Sequence, residues 1–326
     1  MSNSENPFTV DAENKKEGWE KDVVTELAFS AIKEQRRTRR WGIFFKLLMF
    51  AYLLGILFLY RPGGFSDGSK TDEDHTAVID LKGIISADDE ASADTIITGL
   101  REAYENEHVK GVILRINSPG GSPVQSAYIN DEMHKLREEH PDIPLYAVVT
   151  DMCASGGYFI AVAAEKIYAD KSSVVGSIGV RMDGFGFVDA MNKLGVERRL
   201  LTAGEHKGFL DPFMPTKEDD VEHVKGLLAS IHEQFIDNVR AGRGDRLHET
   251  PTMFSGLIWT GEQAKELGLI DDFGTSSYVA KEIFGAEELV DYTPAADLFE
   301  KFSKRFGVAL GQGIGKVLSQ QSIQLK

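Results

Sequence analysis

At 326 residues, 42% of them hydrophobic and only 10 of them proline, the chain can bury a sizeable core in one large domain or two modest ones. A formal charge of −15 argues against a nucleic-acid partner, because an acidic surface repels phosphate. The single cysteine, Cys153, excludes an intrachain disulfide, so stability must come from the core and from assembly.

Residues 1–40 are polar and mixed in charge, with a short amphipathic helix expected over 23–33. Residues 41–60, "WGIFFKLLMFAYLLGILFLY", carry one charge, Lys46. Twenty helical residues span roughly 30 Å, the hydrocarbon thickness of a bilayer, and Lys46 lies close enough to one end to snorkel. This predicts a transmembrane segment rather than a buried core helix. "KEQRRTRR" places five basic residues just before it, so the N-terminus is expected in the cytoplasm and residues 61–326 outside. No small-residue cleavage pattern closes the apolar run, which reads as an uncleaved signal anchor. The first 60 residues hold nine Lys or Arg against eight Asp or Glu, leaving a charge of −16 on the exported part.

A Gly-, Ser- and Asp-rich linker follows over 61–75, and residues 76–290 then read as one α/β domain. "TAVIDLKGII", "VKGVILRIN", "IPLYAVVT" and "KIYAD" are strand-like. "SADTIITGLREAYEN" and "PVQSAYINDEMHKLREE" lie between the first three as helices. That alternation predicts parallel βαβ units. A long amphipathic helix is expected over Thr216 to Arg243. A shorter one is expected in "WTGEQAKELGLID", capped by Thr260 and closed by Gly268. The final segment, 291–326, mixes Phe and Leu with Lys301, Lys304 and Arg305. It suits an amphipathic helix on a membrane or on a neighbouring subunit.

The chemistry starts from two stretches. In "INSPGGSPVQSA" a strand ends in a tight turn whose glycines, Gly120 and Gly121, let a ligand approach backbone N–H groups. In "DMCASGGYFIAVAAEKIYA" Ser155 stands between a strand and a helix. Either it caps that helix or it is a nucleophile. As a nucleophile it would use the N–H of Gly156, paired with that of Gly120 or Gly121, as an oxyanion hole.

A nucleophilic serine needs a base. Of eight histidines only His206, in "LLTAGEHKGFLDPF", has an unusual setting, and beside it is Lys207 after an expected strand. A lysine can act as base where burial disfavours its charge. Lys166 lies eleven residues from Ser155 and could reach it only if the intervening helix breaks early. No H-E-x-x-H and no Cys/His cluster has metal-ligand spacing, so no metal or other cofactor is expected. Cys153 reads as a small buried residue.

In order, "DMCASGGYFIAVAAEKIYA", "SVVGSIGV", "GEHKGFLDPF" and "WTGEQAKELGLID" resemble the signal peptide peptidase A family of bacterial membrane serine proteases, across residues 76–290. The resemblance implies a crotonase-like fold shared with Clp-type proteases. It also implies that Ser155 is the nucleophile, Lys207 the general base, and Ser177 of "GSIGV" the residue that orients the lysine. One copy of the motifs matches the short members, which form ring- or dome-shaped homo-oligomers whose sites combine serine and lysine from neighbouring protomers. The implied substrates are remnant signal peptides and other unfolded apolar peptides at the periplasmic face of the inner membrane.

Two other readings share the fold. A crotonase-type acyl-CoA enzyme would need coenzyme A, which is not expected outside the cytoplasm. A catalytically silent scaffold organising membrane partners would not need the Ser155, Ser177 and Lys207 set.

Overall fold

The computed structural model describes residues 10–59 and 73–294, which divide into two units at residues 67 and 68. The first holds one helix, α1 (Val10–Leu59). From Trp41 to Leu53 its large apolar side chains, including Phe45, Leu47, Met49 and Phe50, are at least half exposed. A helix that is apolar all round requires a non-aqueous surrounding or a partner. The expected span, 41–60, is helical through Leu59, with side chains described as far as Gly55. Among the described residues, no helix is long and apolar enough to cross a membrane.

The second unit begins with β1 (His75–Lys82), α2 (Ala93–Tyr104), β2 (Val109–Ser118), α3 (Pro123–Glu139) and β3 (Leu145–Ala154). Then come α4 (Gly156–Ala161), β4 (Lys166–Ala169), β5 (Val174–Gly176), α5 (Val188–Leu194) and α6 (Glu218–Arg243). The domain closes with β6 (Ile258–Thr260), α7 (Gly261–Glu266), β7 (Asp272–Phe273), α8 (Ser276–Tyr278) and β8 (Leu289–Asp291). One sheet runs β6-β5-β3-β2-β1-β8, with β4 pairing β3 and β7. Every pair is parallel except β5 with β6.

The expected βαβ alternation is therefore present. Its strands are buried on both faces, as near-continuous β-branched runs require. Ile79, Leu114 and Ile116 pack with Ile96, Leu100, Ile129 and Met133 of α2 and α3, while the alternating Val78, Ile113 and Val148 face Tyr146, Tyr168 and Val279. Full burial of such a side chain contributes about 1.5–3 kcal/mol. The carboxyl ends of β2, β3 and β5 lie side by side, with Ser118 opposite Cys153 and Ala154 opposite Gly176. In open parallel sheets that is the end where ligands bind.

The structure answers the readings of Lys166 and Lys207. The helix after Ser155 stops after six residues. Register then pairs Lys166 with Tyr146 at the start of β3. The eight steps from Tyr146 to Ala154 at about 3.3 Å each put Lys166 at the far end of the sheet from Ser155, so the early break does not bring it near. No strand precedes Lys207: residues 195–204 are irregular, and 181–219 contain no buried residue. Phe185, Leu194 and Leu201 on that segment are 78% exposed or more. The amphipathic segment expected over 291–326 lies almost wholly outside the described residues.

The "WTGEQAKELGLID" motif builds structure. Thr260 and Gln263 form a reciprocal capping box on α7, and Gly268 takes φ +73° just beyond its end. A side chain at Gly268 would collide with the carbonyl of Arg246. Asp271 accepts from buried Arg243 at 2.8 Å, from Arg246 at 3.0 Å and from the N–H of Ile167 at 2.7 Å. This fastens the end of α6 to β4.

Candidate active site

Ser155 follows β3 with φ 52° and ψ −123°, and its side chain makes no capping hydrogen bond. A left-handed conformation costs an L-residue roughly 1–2 kcal/mol, and such strain clusters at functional sites. The helix-cap alternative thus fails on geometry, because a capping residue is extended and spends its side-chain oxygen on the next turn. The backbone holds the strain: Ser155 N–H donates to the Gly176 carbonyl at 2.8 Å, and Phe159 N–H donates to the Ser155 carbonyl at 3.0 Å.

The turn after β2 presses against this residue. Ser118, fully buried, donates through Oγ to the Gly83 carbonyl at 2.6 Å and accepts the Gly120 N–H at 3.1 Å. Ile85 N–H donates to the Gly120 carbonyl at 3.0 Å, and Ser122 N–H to the Ile85 carbonyl at 2.8 Å. Gly120 has φ +97°, and a Cβ there would lie 2.6 Å from Gly156 N and 2.7 Å from Ser155 Cβ.

Because the Gly120 N–H is spent on Ser118, Gly121 is the better partner for Gly156 in an oxyanion hole. Among the described residues neither the Gly121 nor the Gly156 N–H has an acceptor. A Cβ on Gly156 would stand 3.2 Å from Gly121 N and 2.5 Å from Ser126 Oγ, so the two backbones are adjacent. Ser118 was not singled out in the sequence. Its position at the last residue of a buried strand, two before a glycine, was the available signal.

Ser177 follows Gly176 and is also left-handed, φ 53°, with its N–H donating to the Leu257 carbonyl at 2.7 Å. Ser155, Gly156, Gly120, Gly121 and Ser177 together line one cleft of about 780 Å³. Ile84, Phe159, Val180, Ile231 and Phe235 make most of its wall apolar. His232 sits behind that wall: its Nε2 faces the Ile178 carbonyl at 3.3 Å, so this nitrogen carries the hydrogen. The sequence reading gave His232 no role.

Lys207 does not line the cleft. It is exposed, and its N–H closes a turn onto the Gly204 carbonyl at 3.2 Å. The apolar setting expected for its amine is not provided within one chain. His206 does not line the cleft either, and its Nδ1 lies 3.2 Å from the buried Asp220 carboxylate. Cys153 is fully buried, which pushes its thiol up, away from thiolate chemistry. Among the described residues no group of His, Cys, Asp and Glu could hold a metal ion.

Comparison with known proteins adds three relatives and a family. The profile of peptidase family S49 matches residues 137–289, which include Ser155, Ser177 and Lys207 but not the Gly120–Gly121 turn. A Methanocaldococcus jannaschii protein named "Putative protease MJ0651" is 32% identical over 226 residues, 67% of this chain and 71% of that protein. The chloroplastic serine protease SPPA of Arabidopsis thaliana is 31% identical over 183 residues, 56% of this chain and 27% of that protein. A Na(+)/H(+) antiporter NhaA of Brucella abortus is 46% identical over 186 residues, 57% of this chain. The chain spans only 25% of that antiporter's length.

Proposed function

Because the chain belongs to peptidase family S49, the signal peptide peptidase A family, we propose that it is a serine endopeptidase with Ser155 as nucleophile. It has one copy of the family motifs, as the short members do. The observation that carries the reading is the conformation of Ser155: left-handed, free of any capping bond, and packed between Gly120 and Gly156 on a cleft.

In this mechanism the neutral amine of Lys207 takes the proton of Ser155 Oγ, which attacks the peptide carbonyl. The N–H groups of Gly156 and Gly121 hold the resulting oxyanion, each contributing about 10²–10³ in rate. Lys207 then protonates the leaving amine as the C–N bond breaks. Water, with Lys207 again as base, releases the acyl group from Ser155. Ser177 orients the lysine.

Lys207 comes from a neighbouring copy. A lysine is a base only where burial disfavours its charge, and within one chain Lys207 is exposed and away from the cleft. Residues 185–201, between Arg181 and Lys207, also leave Phe185, Leu194 and Leu201 in water, as a subunit contact would require. Residues 41–60 anchor the chain in the inner membrane with the N-terminus in the cytoplasm and the peptidase domain in the periplasm. The apolar helix surface from Trp41 and the preceding basic run support this. The substrates are remnant signal peptides and other unfolded apolar peptides, which suit an apolar cleft held near the membrane.

A fluorophosphonate probe tests the nucleophile. It should label the protein at Ser155, found by mass spectrometry of the digested chain, and should leave Ser155→Ala unlabelled. Labelling elsewhere, with Ser155 untouched, would exclude this serine.

A further inference from the structure

We propose that Arg181 makes the cleft select peptides that carry a carboxylate within about four residues of the scissile bond. The proposal rests on the peptide-binding role given to the cleft above.

Arg181 is the only charged side chain among the described residues that line the cleft. The chain as a whole carries −15, so a cation alone on this wall runs against the composition. Its side chain is 87% exposed, and its ion-pair partner, Asp183 at 3.4 Å, is 72% exposed and does not line the cleft. An exposed pair between near neighbours in sequence contributes little, so an incoming carboxylate can displace it. A guanidinium offers two parallel N–H donors that match the two oxygens of a carboxylate.

Position sets the spacing. Arg181 is four residues past Ser177, and four residues reach at most about 14 Å. Ser177 in turn adjoins Ser155 through the bond from Ser155 N–H to the Gly176 carbonyl. A peptide lying extended along this wall advances by a similar length per residue, about 3.3 Å, so its carboxylate falls about four residues from the attacked carbonyl. The apolar walls bind the body of the peptide, and Arg181 reads its charge. The carboxylate is either a free C-terminus or an Asp or Glu side chain. A free C-terminus is what an earlier hydrolytic cut of a longer chain leaves, so a peptide-bond hydrolysis would supply that substrate.

The test is fluorescence anisotropy of four labelled peptides with one apolar core, bound to the full-length Ser155→Ala variant. One ends in a free carboxylate and one in an amide. The other two are amidated, with Glu or Gln placed four residues from the intended cleavage point. At low salt the expected result is about five- to tenfold tighter binding of at least one carboxylate peptide than of its neutral twin. Which pair differs identifies the carboxylate's source. The preference should vanish in Ser155→Ala/Arg181→Gln, survive in part with Arg181→Lys, and shrink at 0.5 M salt. Ser155→Ala/Lys281→Gln, which removes an equal charge outside both the cleft and the subunit contact, should keep it.

Equal binding of charged and neutral peptides, a preference that outlasts Arg181→Gln, or no binding of any of the four overturns the proposal. Because the readout is binding, a wild type that binds these peptides but never cleaves them would sink the peptidase reading and leave the role of Arg181 standing.

Discussion

The N–H of Ser155 donates to the carbonyl of Gly176 at 2.8 Å, and this one bond sets the left-handed Ser155 beside the left-handed Ser177. It joins the end of β3 to the end of β5, so the sheet's own pairing carries the strain at both residues. Stability is given up here for the placement of two hydroxyls on one cleft.

That strain is measurable. Ser155→Gly and Ser155→Ala both remove the hydroxyl, but only glycine adopts φ near 52° without cost. Urea denaturation should therefore find Ser155→Gly more stable than Ser155→Ala by about 1 kcal/mol. Equal stabilities would show that the conformation relaxes freely and is not imposed by the β3–β5 junction.

Gly120→Ala should reduce kcat/KM about 100-fold or more, because its Cβ has no room beside Ser155 Cβ and Gly156 N. Ser118→Ala frees the Gly120 N–H and loosens the turn without a collision, so its loss should be smaller, about tenfold. Steady-state kinetics beside circular dichroism would check both. The reverse order would mean that the clamp, not the close approach, shapes the site.

Asp271 predicts how stability responds to acid. Burial raises its pKa, but hydrogen bonding to Arg243, the Arg243 and Arg246 charges and the Ile167 N–H outweigh burial and leave it lowered. A carboxylate depressed on folding stabilises the protein fully above its unfolded value, about 4, and loses that contribution as pH falls through the folded value. The melting temperature of Asp271→Asn should thus fall less steeply than that of wild type below about pH 4. At neutral pH, Arg243→Met should cost about 1.5–3 kcal/mol, the loss of one charged hydrogen bond, because Asp271 keeps Arg246 and the Ile167 N–H. Parallel acid melting curves for wild type and Asp271→Asn would remove this carboxylate from the acid response.

Much of the fold was legible because it depends on local patterns. β-Branched runs such as "VKGVILRIN" separated by amphipathic helices report a parallel sheet, and Thr260 with Gly268 reports where a helix starts and stops. The choice between cap and nucleophile at Ser155 was not legible. It turns on φ, which the β3–β5 pairing sets through Gly176, 21 residues further along the chain. Nor could the sequence divide the roles of Gly120 and Gly121, since Ser118 Oγ decides which N–H remains open. The apolar residues near Lys207 suggested a strand, yet that segment pairs with no strand of the sheet. Hydrophobicity records that a surface is to be covered, not whose chain covers it.

The central claim is that Ser155 and Lys207 form one site across two copies. The most direct measurement is peptide cleavage by Ser155→Ala, by Lys207→Ala, and by the two variants co-assembled in equal amounts. Each variant alone should be inactive. Their co-assembly should recover about one quarter of wild-type activity, because random neighbours join an intact Ser155 to an intact Lys207 at about one site in four. Activity in Lys207→Ala alone, or a co-assembled mixture that stays inactive, would contradict the account.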